Sequence, residues 1–323
     1  MAKKFIIYHS SSIIQLKYFF TLGALLCALP FYAQKSMADI PYPADTKYVA
    51  LPSGIRLAYL DSGVGDHTLV FVHGLGSNLK SWQKTTAAMG GSYRCVAFDL
   101  PGYGRSSKGD HPYDMTFFAT TLREFAAALG LKNIVLVGHS MGAQIALSAV
   151  LQDSTFAKRV VLLAPAGIET FSEAEKNWFS MVYTPALLKA TPPEQIRKNF
   201  EANFFQFPAD AEFMVQDRMV LRETDDYGAY CSMIPKCVAG MLREPVYEQL
   251  PTITAPVLLL FGENDALIPN RFLHKTLTTQ MVATDGQRRL PNCRLEMVPN
   301  CGHFVQWEGA ATVHTFLLEF LRK

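Results

Sequence analysis

A short glycine-flanked motif, Gly138-His139-Ser140-Met141-Gly142, contains the residue best suited to act as a nucleophile. The motif follows an apolar run that ends at Val137 and precedes a helical pattern. A sharp turn from strand to helix forces its middle residue into an unfavourable backbone conformation and leaves no room for side chains two positions away, which explains both glycines. Because Ser140 would stand at a helix N-terminus, free N–H groups could stabilise negative charge there. The motif predicts attack by the Ser140 hydroxyl on a carbonyl carbon.

A serine nucleophile requires a base and an acid that orients the base, and the chain offers both. His303 comes just after the last strand-like run, and Asp265 comes just after the preceding one. Glu263 is the alternative acid, but it lies two residues closer to the strand and therefore has less reach. Loops that follow parallel strands meet at one edge of a sheet, so Ser140, Asp265 and His303 are predicted to meet there.

A second glycine-containing turn, His73-Gly74-Leu75-Gly76, follows the run that ends at Val72. A backbone N–H aimed into the site from this turn, together with the N–H of the residue after the nucleophile, would stabilise a tetrahedral oxyanion. We therefore predict that the amides of Leu75 and Met141 form an oxyanion hole. His73 and His139 are interpreted as structural members of their turns.

The elements that must position these residues alternate between short apolar runs and longer amphipathic stretches, which is typical of strands joined by crossover helices. Several runs do not alternate in polarity, so both faces of the sheet are expected to be covered and the last six strands to be parallel. Strands are predicted at Lys47 to Leu51, Ile55 to Leu60, Thr68 to Val72, Arg94 to Phe98, Asn133 to Val137, Arg159 to Leu163, Val257 to Phe261 and Arg294 to Val298. Helices are predicted at Leu79 to Met89, Met115 to Leu129, Met141 to Leu151, Arg271 to Thr278 and Ala310 to Leu321.

The alternation stops between Ile168 and Leu250, where aromatic-rich helical patterns occur without a strand. A connection of this length needs its own structure and usually has a function. We predict an α/β core formed by residues 39–167 and 251–323, with residues 168–250 inserted as a helical cap between strands 6 and 7. Leu75, Trp178 and Phe179 are predicted to contact substrate in a hydrophobic pocket beneath the cap.

The first 38 residues differ from the rest of the chain. Three lysines precede an uncharged run from Tyr18 to Ala33, and no acidic residue occurs before Asp39. The run is shorter than the roughly 20 residues of a spanning helix, and Ser36-Met37-Ala38 fits a signal-peptidase site. Apolar residues further upstream favour a retained membrane anchor equally. Either alternative predicts a catalytic domain outside the cytoplasm, and the segment and the cap are expected to associate with a membrane.

Composition excludes several other classes of protein. With 49% hydrophobic residues, 18% charged residues and a net charge of +2, the chain is expected to fold and to bind no nucleic acid. Its six cysteines describe neither a disulfide framework nor a zinc site. Cys231 and Cys237 could pair only if Pro235 turns the chain back, so free buried thiols are expected.

From about Tyr48 to Leu321 these motifs resemble the α/β-hydrolase fold family. The segment from Asp99 to Ser106 is similar to a structural turn that the family has after its fourth strand, and Ser140 excludes the branches with an aspartate nucleophile. A narrower resemblance links the chain to membrane-anchored monoacylglycerol lipases and related bacterial esterases and lipases. It rests on the basic and apolar start and on the segments Ala164 to Gly167, Thr191 to Glu194, Asn292 to Cys293 and Asn300 to His303.

The expected activity is that of a serine carboxylic-ester hydrolase acting on hydrophobic acyl esters, such as monoacylglycerols or short-to-medium-chain lipid esters. Neither a metal nor an organic cofactor is expected. Carbon–carbon bond hydrolases of ring-cleavage products share the fold and triad, but they commonly resemble Gly-Asn-Ser-x-Gly, whereas His139 favours esterases. A non-catalytic binding protein with this fold would lack a triad member, and none is missing from the sequence.

Overall fold

The computed structural model describes residues 36–322. The predicted signal peptide or anchor lies almost entirely outside this range and stays a prediction. In the described part of the chain, no helix combines the length and apolar character needed to cross a bilayer.

A single eight-stranded sheet forms the centre of the fold. Its strands are β1 (Lys47–Ala50), β2 (Arg56–Ser62), β3 (Thr68–Val72), β4 (Arg94–Phe98), β5 (Ile134–His139), β6 (Arg159–Leu163), β7 (Val257–Gly262) and β8 (Cys293–Val298). The strands lie in the order β1-β2-β4-β3-β5-β6-β7-β8. Pairing is antiparallel from β1 to β2 and from β2 to β4, and parallel across the rest of the sheet. The predicted fold class, including the parallel arrangement of the last six strands, is confirmed.

Helices cover both faces of the sheet and fill the long insertion. They are α1 (Gln83–Met89), α2 (Met115–Ala128), α3 (Met141–Gln152), α4 (Glu173–Val182), α5 (Pro185–Ala190), α6 (Pro193–Glu201), α7 (Glu212–Arg222), α8 (Asp226–Arg243), α9 (Thr279–Arg289), α10 (Val305–Glu308) and α11 (Ala310–Leu321). Short 3-10 turns occur at Met37–Asp39, Leu79–Trp82, Ala209–Ala211 and Tyr247–Thr252. Helices α4 to α8 stand between β6 and β7, and we call them the cap.

Alternate residues of the central strands enter two separate cores. In β3, Val70 and Val72 pack in the core that contains α2 and α3, whereas Leu69 and Phe71 pack in the core that contains α1 and α11. All four side chains are fully buried. This two-sided burial explains why the strand sequences show no alternation between polar and apolar residues.

The helix predicted from Arg271 to Thr278 is wrong. These residues form turns, because the Asn270 side-chain oxygen accepts hydrogen bonds from the N–H groups of Phe272 and Leu273, both at 3.1 Å. Such a local bond competes with helix formation. Helix α9 begins only after Thr278, whose hydroxyl caps its first turn.

The described cysteines are free thiols. Cys231 and Cys237 both lie in α8, which continues through Pro235 instead of turning back. Burial raises the pKa of Cys237 to about 12, so this thiol is protonated at neutral pH.

Candidate active site

The turn between β5 and α3 holds Ser140 in a strained conformation, with φ 53° and ψ −119°. A Cβ atom built on Gly138 would lie 2.5 Å from the Gly142 carbonyl oxygen, and one built on Gly142 would lie 2.1 Å from the Val72 carbonyl oxygen. No larger residue fits at either position. The Ser140 N–H donates to the Leu163 carbonyl of β6 at 2.9 Å, which fixes the turn to the neighbouring strand. Strain of this kind costs about 1–3 kcal/mol and persists only where the surrounding structure imposes it.

An imidazole–carboxylate pair lies in the loops after β7 and β8. The His303 Nδ1 atom is 2.8 Å from the Asp265 Oδ2 atom, and both residues are buried. The other carboxylate oxygen of Asp265 accepts from the N–H groups of Leu267 and Ile268 at 2.8 and 3.1 Å. Glu263, the alternative acid, is exposed. The structure therefore brings Asp265, and not Glu263, to His303.

His139 holds the backbone that carries His303. Its Nε2 atom lies 3.0 Å from the His303 carbonyl oxygen, and the two rings are 4.9 Å apart. Burial, followed by the proximity of His303, lowers the pKa of His139 well below its ordinary value. A neutral ring must carry its proton on Nε2 to donate to that carbonyl, so His139 acts as a fixed hydrogen-bond donor.

His73 plays a similar part for the turn that contains Leu75. Its Nδ1 atom lies 2.9 Å from the Gly74 carbonyl oxygen, and its Nε2 atom accepts from the Leu100 N–H at 3.1 Å. A proton on Nε2 would face that N–H, so the geometry requires the neutral ring. Burial lowers the pKa of His73 to about 4, in agreement with this requirement.

The two amides predicted to stabilise an oxyanion occupy suitable backbone positions. Met141 is the first residue of α3, so its N–H has no acceptor within the helix. Across residues 36–322, the N–H of Leu75 donates to no backbone carbonyl.

A cavity of about 800 Å³ lies between the carboxyl edge of the sheet and the cap. Ser140, His303, Leu75 and Phe179 all line it. Trp178 does not, and its ring packs instead against Phe179 with centroids 5.2 Å apart. Within residues 36–322, no hydrogen bond joins the Ser140 hydroxyl to His303, although both residues face the same cavity.

Several further polar residues on the cavity wall were not predicted from the sequence, among them Gln144, Glu169 and Arg218. Gln144 lies one helical turn after Ser140, a spacing that places it on the same helix face and could have indicated its position. Its amide donates to the carbonyls of Met241 and Glu244 at the end of α8, both at 3.0 Å. Glu169 and Arg218 follow no pattern in the sequence that distinguishes them from surface residues.

Arg218 connects the cap to the turn that contains Leu75. It donates to the Gly76 carbonyl at 2.5 Å, and its guanidinium lies 4.3 Å from the Tyr230 ring centre. In the described range it forms no ion pair with a carboxylate, and no group of histidine, cysteine, aspartate or glutamate residues is arranged to hold a metal ion.

A mostly parallel eight-stranded sheet, a strained serine turn after β5 and a helical insertion after β6 define the class of α/β hydrolases. The family model described as "alpha/beta hydrolase fold" matches residues 67–310, and the chain belongs to this family.

Individual relatives differ in their activities. The chain is 28% identical over 299 residues to 2-hydroxy-6-oxononadienedioate/2-hydroxy-6-oxononatrienedioate hydrolase of Paraburkholderia phymatum, covering 86% of this chain and 96% of that protein. A solved structure described as a membrane phospholipase A and bacterial virulence factor has a TM-score of 0.70 at 25% identity. The match covers 86% of this chain and 85% of the chain in that structure. An esterase of Exiguobacterium antarcticum has a TM-score of 0.71 at 20% identity, and the match covers 86% of this chain and 99% of the esterase. At this identity the likeness shows the fold alone.

The low pKa of His73 predicts a loss of stability in acid. Between pH 6.5 and about 4 the unfolded chain binds a proton that the folded ring refuses, so the free energy of unfolding falls as the pH falls through this window. The gap between pKa values of about 4 and 6.5 corresponds to about 3 kcal/mol. Urea unfolding at pH 7 and pH 4.5 measures how the free energy of unfolding changes with pH in wild type and in His73→Asn. A smaller change is expected in the variant. Equal pH dependence in the two proteins would contradict the neutral assignment.

Proposed function

We propose that this hydrolase cleaves carboxylic esters with hydrophobic acyl groups, in particular monoacylglycerol-like or short-to-medium-chain lipid esters. The observation that carries the proposal is that Ser140 and His303, whose Nδ1 atom is held by the buried Asp265, line one large cavity. Its remaining wall is largely apolar, with Phe171, Phe179 and Phe200 among the lining residues. Such a wall suits an acyl chain better than a sugar or a nucleotide.

The proposed reaction has two halves. The Ser140 Oγ atom attacks the ester carbonyl carbon while its proton moves to the Nε2 atom of His303; the bond to the alcohol oxygen then breaks, and His303 protonates that oxygen. In the second half, water attacks the acyl-serine, gives its proton to His303 and releases the acid, and Ser140 recovers its proton. Asp265 orients the imidazole and stabilises its charged form.

The negative charge on the carbonyl oxygen needs donors in place before the reaction. We assign the Leu75 and Met141 amides to this role, because both belong to rigid turns beside Ser140. Each such donor contributes about 10²–10³ to kcat. Neither step calls for a metal or an organic cofactor.

The place of action follows from the sequence before residue 39. A basic start and an apolar run fit either a signal peptide or an anchor, so we propose a catalytic domain that works outside the cytoplasm, near a membrane. The likeness to a membrane phospholipase A supports this proposal.

Carbon–carbon bond hydrolysis is the second candidate, and two observations favour it. The Paraburkholderia relative is named for dicarboxylate substrates, and Arg218 places a cation without a carboxylate partner on the cavity wall. If the purified protein hydrolyses a ring-cleavage dicarboxylate in preference to ester substrates, this candidate is supported over ester hydrolysis.

Replacement of the nucleophile tests the proposed function most simply. Full-length wild-type protein is expected to hydrolyse nitrophenyl esters of several chain lengths and a monoacylglycerol. Ser140→Ala and His303→Ala should each lower kcat by about 10⁴-fold or more, because no other group can form the acyl-enzyme. Undiminished activity in Ser140→Ala would exclude the mechanism.

The two acids of the β7 loop give a matched pair for testing the orienting role. Asp265→Asn should lower kcat by about 10⁴-fold, because the amide favours the wrong imidazole tautomer. Glu263→Gln changes an exposed carboxylate in the same loop and should leave kcat within twofold or so of wild type. Equal rates for wild type and Asp265→Asn would show that another acid serves His303.

A further inference from the structure

A buried carboxylate lies on the cavity wall where the chain enters the cap. The Glu169 side chain is only 7% exposed, yet the residue lines the cavity together with Asn270. The cavity wall also includes Phe171, Leu267 and Phe272, which are apolar. A carboxylate in such surroundings is costly unless it has hydrogen-bond partners.

Only one of the two Glu169 oxygens has partners. Its Oε1 atom accepts from the Asn270 N–H at 2.8 Å and lies 2.5 Å from the His274 Nδ1 atom. His274 is held on its far side by Glu175, at 3.0 Å from its Nε2 atom. Among residues 36–322, nothing donates a hydrogen bond to the Oε2 atom of Glu169. Desolvation by burial raises the pKa of Glu169, as expected for a carboxylate with too few donors.

One loop binds both Glu169 and Asp265, the carboxylate that contacts His303. Asn270, which binds Glu169, follows Leu267 and Ile268 in the loop whose N–H groups bind Asp265. Leu75, by contrast, belongs to the turn after β3, which Arg218 ties to the cap. In the proposed reaction His303 must protonate the leaving alcohol, so the alcohol has to lie next to His303 in the cavity.

The geometry points to Glu169 as a binding site for a hydroxyl group of the leaving alcohol. Its free Oε2 atom would accept a hydrogen bond from an alcohol that carries a second hydroxyl, such as glycerol. This inference rests on the proposed ester hydrolysis and deepens it, because it separates esters of polyols from esters of simple alcohols. A hydroxyl suits the position better than a cation, since His274 already faces this carboxylate and Lys176 lines the same cavity.

The test compares three soluble esters of one acid: glyceryl monobutyrate, ethyl butyrate and butyrylcholine. Glu169→Gln keeps an oxygen for Asn270 and His274 but replaces the free acceptor with an amide N–H₂ group. With the full-length protein, it should lower kcat/KM for glyceryl monobutyrate by about tenfold or more, through KM, and leave ethyl butyrate unchanged. The control is Glu175→Gln, which alters the other partner of His274 outside the cavity and should leave the ratio of the two kcat/KM values unchanged.

Each outcome has a distinct meaning, with thermal unfolding used to verify that both variants fold. A selective loss for glyceryl monobutyrate in Glu169→Gln alone supports the site. An equal loss for both esters, the same change in Glu175→Gln, or a larger loss for butyrylcholine would overturn it. If wild type hydrolyses ethyl butyrate but shows no dependence on Glu169, the site fails while the proposed function stands. If wild type hydrolyses none of the esters, the proposed function fails as well.

Discussion

The turn at Ser140 can exist only because neighbouring backbone passes within contact distance of Gly138 and Gly142. Its positive φ is imposed by β3 on one side and by the hydrogen bond to β6 on the other. The conformation of Ser140 therefore depends on the parallel sheet around it. Since the loops with Asp265 and His303 leave the same edge of that sheet, one constraint places Ser140 and His303 on the cavity wall and the buried Asp265 against His303.

Buried polar groups in this region keep the loops rigid. His139 fixes the backbone of His303, His73 fixes the turn before Leu75, and both rings are neutral because burial lowers their pKa values. Asp265 has both oxygens occupied, one of them by His303. Glu169 differs from Asp265, because over residues 36–322 only one of its two carboxylate oxygens has hydrogen-bond donors.

The sequence predicted the sheet and the places of Ser140, Asp265 and His303 because apolar runs, glycines and loop positions depend on local geometry. The helix at residues 271–278 was predicted wrongly, since the side chain of Asn270 competes with the backbone there. Trp178 was placed on the cavity wall, but an aromatic pattern does not tell which side of a cap helix faces the core. Glu169 and Arg218 were missed because their positions depend on contacts between elements that are distant in sequence.

The central claim is that the strained Ser140 is the nucleophile, and covalent labelling tests it most directly. A fluorophosphonate reacts with a serine that has an adjacent base and oxyanion donors, and peptide mass spectrometry identifies the modified residue. The account predicts one label per full-length chain, on Ser140, with labelling abolished in His303→Ala. A label on another residue, or an active enzyme whose Ser140 stays unmodified, would contradict it.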